Sequence, residues 1–173
     1  MMRTLRDDVR RHSKLTNPAV WPLIVYRLGR ANEALPAPLR AVGRRLYTVA
    51  TFGLELTLGT VLHRELEIGE DLKLVHAGNI KIHPATVLGD RVELNHDVTL
   101  GVQHHQTAGT PRVGNDVFIG AGAKILGPVT IGDRAVIGAN SLVITDIPPG
   151  VTAMGVPARP VPHRNLVSVS TSL

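Results

Sequence analysis

Residues 113–143 read VGNDVFIGAGAKILGPVTIGDRAVIGANSLV, and the spacing of their aliphatic side chains decides the fold. Val113, Ile119, Ile125, Ile131, Ile137 and Val143 recur every six positions. A glycine usually follows, as at Gly114, Gly120, Gly132 and Gly138, and a second apolar residue commonly stands four after the first, as at Val117, Val129 and Ala135. A six-residue repeat of this kind indicates a parallel β-helix in which each hexapeptide supplies a short strand and a corner. The aliphatic side chains point inward and stack about 4.8 Å apart in successive coils. The small residue is expected to let the backbone turn without a Cβ clash.

The same beat runs upstream through Leu62, Ile68 and Leu74, then Ile82, Leu88, Leu94 and Leu100. Thirteen repeat starts, three to a triangular coil, predict roughly four coils. Two breaks interrupt them. Eight residues rather than six separate Leu74 from Ile82, and His76 lies in the gap. Between Leu100 and Val113 the segment GVQHHQTAGTPR adds about seven residues.

The remaining composition fits this frame. At 173 residues the chain is most simply one domain with a small appendage. Only five residues are aromatic, so the core must be filled by Val, Ile, Leu and Ala. There is no cysteine, which excludes disulfides and thiolate metal sites and fits a reducing cytoplasm. No apolar run reaches the roughly 18–20 residues of a membrane span, and the acid-bearing N-terminus has no apolar signal core.

Charge is concentrated at one end. Residues 1–55 carry ten Lys/Arg against four Asp/Glu, whereas residues 56–173 carry nine against ten. Residues 1–55 also read as helical. Asn17 is placed to cap a helix whose first position is Pro18. Leu39, Val42, Leu46, Val49 and Ala50 form a helical stripe with Arg40, Arg44 and Arg45 off it. Three short helices are expected, packed on one another or on a partner subunit. Their basic faces are solvated, or meet an acidic partner or a membrane surface peripherally. Dispersed arginines without aromatic platforms do not make a nucleic-acid module. The expected organisation is a helical region over 1–55, the β-helix over 56–161 and a tail over 162–173.

The stretch from Val113 to Val161, with GAGAKILG and GVPAR, resembles the C-terminal half of the serine O-acetyltransferase family, one branch of the hexapeptide-repeat acyltransferases. LVHAGNIKIHPATVLGDRVELNHDVTLG is similar to the segment in which that family carries its catalytic histidine, and NPAVWPLIVYRLGR to the end of its helical region. The resemblance implies a left-handed parallel β-helix, a homotrimer, and acetyl-CoA as acyl donor in clefts between subunits. It places the catalytic histidine at the eight-residue break, hence His76, as general base for a hydroxyl acceptor. An imidazole titrates close enough to neutrality for that task.

Three repeats beyond the one carrying His76, His96 should stack on it and contact the acceptor. His104 and His105, in the inserted loop, are candidate acceptor contacts. For CoA the matching positions are Gly120, Ala121 and Ala139, where a larger side chain would fill the groove, with Lys124 and Arg159 facing phosphate charge. His63 and His83 fall at corners and are expected to be solvated. His12 and His163 lie near the ends and carry no signal.

Departures from the family's pattern bear on the acceptor. Val61 and Val75 stand where it has aspartates, His83-Pro84-Ala85 where it has Gly-Glu-Thr, and Thr110-Pro111-Arg112 where it has a second active-site histidine. The reading is acetyl-CoA-dependent O-acetyl transfer to a hydroxyl acceptor; L-serine is one candidate, which these departures weaken, and a sugar, polysaccharide or natural-product hydroxyl is the alternative. Two rivals come from other classes. One is a non-catalytic trimeric scaffold. The other is a zinc-dependent carbonic anhydrase of the gamma type, for which the close histidine pair is missing; no metal is expected.

Overall fold

The computed structural model describes residues 2–12, 16–103 and 109–161. Three helices precede the repeats: α1 (Met2–Arg11), α2 (Val20–Asn32) and α3 (Ala37–Leu58). The repeats then form a three-sided parallel β-helix. One face stacks Glu67–Ile68, Val87–Leu88, Arg112–Val113 and Thr130–Ile131; the next stacks Lys73–Leu74, Glu93–Leu94, Phe118–Ile119 and Val136–Ile137. The third stacks Lys81–Ile82, Thr99–Gly101, Lys124–Leu126 and Leu142–Val143. An antiparallel hairpin, Thr152–Gly155 with Ala158–Val161, closes the far end of the second face.

Each aliphatic of the six-residue repeat lands where stacking needs it. Leu74 pairs with Leu94, Leu94 with Ile119, Ile119 with Ile137 and Ile137 with Ala153, and all five are buried. The glycines act differently from the expectation. Those that follow the aliphatic residues keep negative φ; the left-handed corners fall two residues later, at Asp71, Arg91, Asp116 and Arg134, with φ of 54–59°. Gly89 is small because a Cβ there would sit 2.7 Å from the carbonyl carbon of Gly114. An Asx ladder runs up the same corner. Asp90 Oδ1 accepts the Glu70 N–H (2.8 Å), Asn115 Oδ1 the Asp90 N–H (2.8 Å) and Asp133 Oδ1 the Asn115 N–H (2.7 Å).

The open N-terminal end of the β-helix leaves backbone groups that must find partners. The helices supply them. Tyr26 donates to the Leu66 carbonyl (2.8 Å) and Tyr47 to that of Leu62 (3.0 Å). Arg27 donates to Ile68 O (3.1 Å) and Gly69 O (2.6 Å), and Arg11 to Asp71 O. Arg27 is held by a buried ion pair with Asp8 (2.8 Å). Burial of Asp8 outweighs that guanidinium and keeps its carboxyl above the usual aspartate range.

Two expectations for the helices change. Asn17 caps only the turn that leads into α2: its Oδ1 accepts the Ala19 N–H (3.0 Å), and the helix proper begins at Val20. The α3 stripe is not the face that meets α2. Gly29 takes the ring of Tyr47, while Leu39, Val42, Leu46, Val49, Phe52 and Leu56 remain 58–77% exposed. Among the described residues no helix is long and apolar enough to cross a membrane.

Candidate active site

The six-residue beat slips at one corner of the first coil. Leu74 is in register with Leu94, and the Asn79 side chain bonds that of Asp97 (2.7 Å). Four residues, Val75–Gly78, therefore bridge what Asn95 and His96 bridge one coil on. The surplus bulges from the wall and carries an exposed His76 with it. His96 is also exposed, and the two rings meet edge to face with centroids 5.7 Å apart.

Continuing the register up this corner puts Ala121 after His96, then Ala139 and Gly155. The turn bonds agree: the Gly122 N–H donates to His96 O (3.0 Å) and the Asn140 N–H to Ala121 O (2.8 Å). One edge of the molecule thus presents two histidines and then a run of small residues. At one coil every 4.8 Å, His76 to Ala139 spans about 14 Å. Arg159 is exposed in the terminal hairpin at the far end of this edge, opposite Met154, and donates to Ala158 O (2.9 Å).

The other expected residues fall less simply. Gly120 is buried, and a Cβ there would lie 2.6 Å from the Ala139 nitrogen, so coil stacking by itself requires its smallness. Lys124 already has partners: its Nζ donates to Asp97 O (2.6 Å) and Oδ1 (3.2 Å). His104 and His105 lie outside the described residues, as does His163. Among the described residues no group of three or more His, Cys, Asp or Glu side chains is placed to hold a metal ion.

His12 is far from idle. It is buried, its Nδ1 bonds the Asp8 carbonyl (2.7 Å), and its Nε2 accepts the Leu74 N–H (3.0 Å). That bond requires Nε2 to be unprotonated, which fixes the Nδ1–H tautomer. It satisfies the outermost strand of the second face two residues before His76. No periodicity announces such a bond, since it joins residues 62 apart in sequence.

A three-sided coil with a histidine expelled at a corner and a lane of small side chains beside it is the arrangement that the resemblance to the hexapeptide-repeat acyltransferases implies. A family model for the bacterial transferase hexapeptide (six repeats) matches residues 110–145. The serine acetyltransferase of Helicobacter pylori strain J99 is 34% identical over 167 residues, covering 92% of each chain. That of Mycobacterium tuberculosis is 37% identical over 118 residues, 67% of this chain and 51% of the other.

Solved structures agree. The Brucella abortus serine acetyltransferase in complex with coenzyme A superposes with a TM-score of 0.79 at 26% identity, over 92% of this chain and 68% of that one. The Neisseria gonorrhoeae serine acetyltransferase in complex with serine gives 0.77 at 28%, over 93% and 69%. The chain belongs to the serine acetyltransferase family.

Proposed function

We propose that the chain transfers the acetyl group of acetyl-CoA to the hydroxyl of L-serine, with His76 as general base. The observation that carries the assignment is the exposed His76 at the coil slip, at the head of the small-residue lane, in a chain that aligns over 92% of its length with a serine acetyltransferase. In the step, an imidazole nitrogen of His76 takes the proton of the acceptor hydroxyl as its oxygen attacks the thioester carbonyl carbon. The carbon–sulfur bond then breaks, and the imidazolium returns its proton to the departing CoA thiolate. The products are the O-acetyl ester and the free thiol. His96, edge-on to His76, is assigned to the acceptor, a reading that its contact with His76 supports.

For the donor, Ala121 and Ala139 form the floor along which the pantetheine arm runs, and exposed Arg159 at the far end faces phosphate charge. Lys124 is not proposed for the phosphates, being engaged by Asp97. The assembly is a homotrimer, in which a neighbouring copy walls the lane from the other side. The uncovered apolar stripe of α3, a 22-residue helix with no buried residue, supports this and is assigned to contacts between copies.

A second reading of the acceptor rests on Val61, Val75 and Pro84, which stand where the family's pattern has carboxylates. Free serine brings an ammonium and a carboxylate that each want an opposite charge when desolvated. A sugar or other uncharged alcohol makes no such demand.

Thiol release from acetyl-CoA with L-serine and with a panel of sugars and alcohols tests both readings. Serine-dependent release that falls by at least roughly a hundredfold in His76→Ala supports the assignment. Release with a sugar alone moves the acceptor to the second reading. Release that survives the substitution removes His76 from the chemistry, and CoA binding without turnover on any acceptor favours the scaffold.

A further inference from the structure

The bulge that carries His76 contains a hinge. Gly78 has φ of 140°, which glycine adopts freely, and beyond its chain neighbours no atom lies within 4 Å of where a Cβ would stand, so packing at that position does not fix the segment's direction. Bracing comes from both ends. On the N-terminal side the Val75 N–H donates to Leu94 O (2.8 Å) and the Leu74 N–H to His12 Nε2 (3.0 Å).

On the C-terminal side the Asn79 N–H donates to Leu58 O (2.8 Å), and the side-chain brace is one aspartate. The Asp97 N–H donates to Gly78 O (3.0 Å), and Asp97 Oδ1 accepts from Asn79 Nδ2 (2.7 Å). Asp97 is in turn pinned by Lys124, which donates to its carbonyl and its carboxylate. Asn79 and Asp97 are both left-handed, with φ of 51° and 58°. Small polar side chains tolerate that conformation best. The later coils place Gly122 and Asn140 at this corner, so the column has a single carboxylate, beside His96 and one coil from the bulge.

We propose that Asp97 and Asn79 are positioning residues for the transfer reaction: anchored by Lys124, the Asp97 carboxylate grips the Asn79 amide and fixes the hinge that aims His76. The site thereby obtains from the next coil the orienting carboxylate that Val61 and Val75 do not supply. The inference rests on the assignment of His76 as the base. It also gives Lys124 a role, as the counter-charge that keeps Asp97 in place.

The test compares wild type with Asp97→Ala, Asn79→Ala, Asp97→Asn, His76→Ala and Asp133→Ala. Steady-state thiol release and thermal midpoints are measured for each. Misaiming a reacting group by about 1 Å can lower a rate by about 100-fold, so Asp97→Ala and Asn79→Ala are expected to lower kcat by roughly 10- to 100-fold. KM for acetyl-CoA should stay within about twofold. Asp97→Asn keeps an oxygen for the Asn79 amide and is expected to recover most of the rate.

Asp133→Ala removes a comparable carboxylate from the Asx ladder of the wall; it should lose thermal stability without losing kcat. Should Asp97→Ala fail to fold, Asn79→Ala, which leaves the Lys124–Asp97 pair intact, decides alone. Wild-type kcat in Asp97→Ala or Asn79→Ala, with His76→Ala inactive, overturns the positioning role and leaves the base assignment standing. An Asp97→Asn variant as slow as Asp97→Ala overturns the hydrogen-bond route. Full activity in His76→Ala instead removes the base assignment itself.

Discussion

Replacing Arg27 by Met tests how the helical region is fastened to the first coil. Arg27 is 9% exposed at its side chain and Asp8 0%. The guanidinium makes one bond to Asp8 and two to the carbonyls of Ile68 and Gly69. Met fills similar space without donors, so Asp8 loses its counter-charge and must stay buried either as an unpaired carboxylate or with a proton taken up, and its Oδ1 already lacks a partner. Breaking a buried pair from one side costs about 3–5 kcal/mol, or about 6–20 °C in Tm for a chain of this size.

The pH dependence has a definite sign. Asp8 is already raised above its ordinary 3.8 because burial exceeds the lowering by Arg27, and the substitution removes that lowering. Between the unfolded and the raised native value the native state holds a proton that the unfolded state has released, so stability falls as pH rises, by up to about 1.4 kcal/mol per unit. From pH 7 down to pH 5 the variant should regain stability, narrowing its gap to wild type. Adding Asp8→Leu should recover most of the loss at pH 7. Urea unfolding followed by circular dichroism at both pH values measures all three proteins. A loss below about 1 kcal/mol at pH 7, or a gap independent of pH, refutes the reasoning.

Gly120→Ala forces a Cβ against the backbone of Ala139. It should cost about 1–3 kcal/mol, about 2–12 °C in Tm; an unchanged Tm would mean that coil stacking does not require its smallness. Leu46→Glu with Val49→Glu alters side chains 66% and 70% exposed in the single chain, where surface changes are worth about 0.5 kcal/mol or less. If α3 joins copies of the chain, light scattering after gel filtration shows the mass drop from trimer toward monomer while circular dichroism is preserved. An unchanged mass places the joint elsewhere.

The β-helix was legible because its rule is short-range and repeated. Inward aliphatics such as Leu94, Ile119 and Ile137 must recur every six residues if each coil is to stack on the last, and a two-residue surplus around His76 has nowhere to go but out. Amphipathic spacing in α3 was equally legible, but it says only that one face is apolar and nothing about what covers it. Lys124 illustrates a third limit. Its charge qualified it for a phosphate, yet the turn that sets it against Asp97 depends on a neighbouring coil 27 residues away.

The residues that hold the site together are the ones local pattern conceals. His12, Asp8 and Arg27 follow no repeat; His12 and Arg27 reach the first coil through one or two long-range bonds each, and Asp8 holds Arg27 in place. A repeat fold needs no such devices in its interior, where every coil is satisfied by the next. It needs them at the end, where the first coil has no predecessor, and that coil bears His76. The helices therefore serve the chemistry indirectly. By satisfying Leu62, Leu66, Ile68, Gly69 and Leu74 they make a terminal coil as well braced as an internal one. On the proposed assignment, the base at this expelled corner is aimed from the helices on one side and from Asp97 on the other.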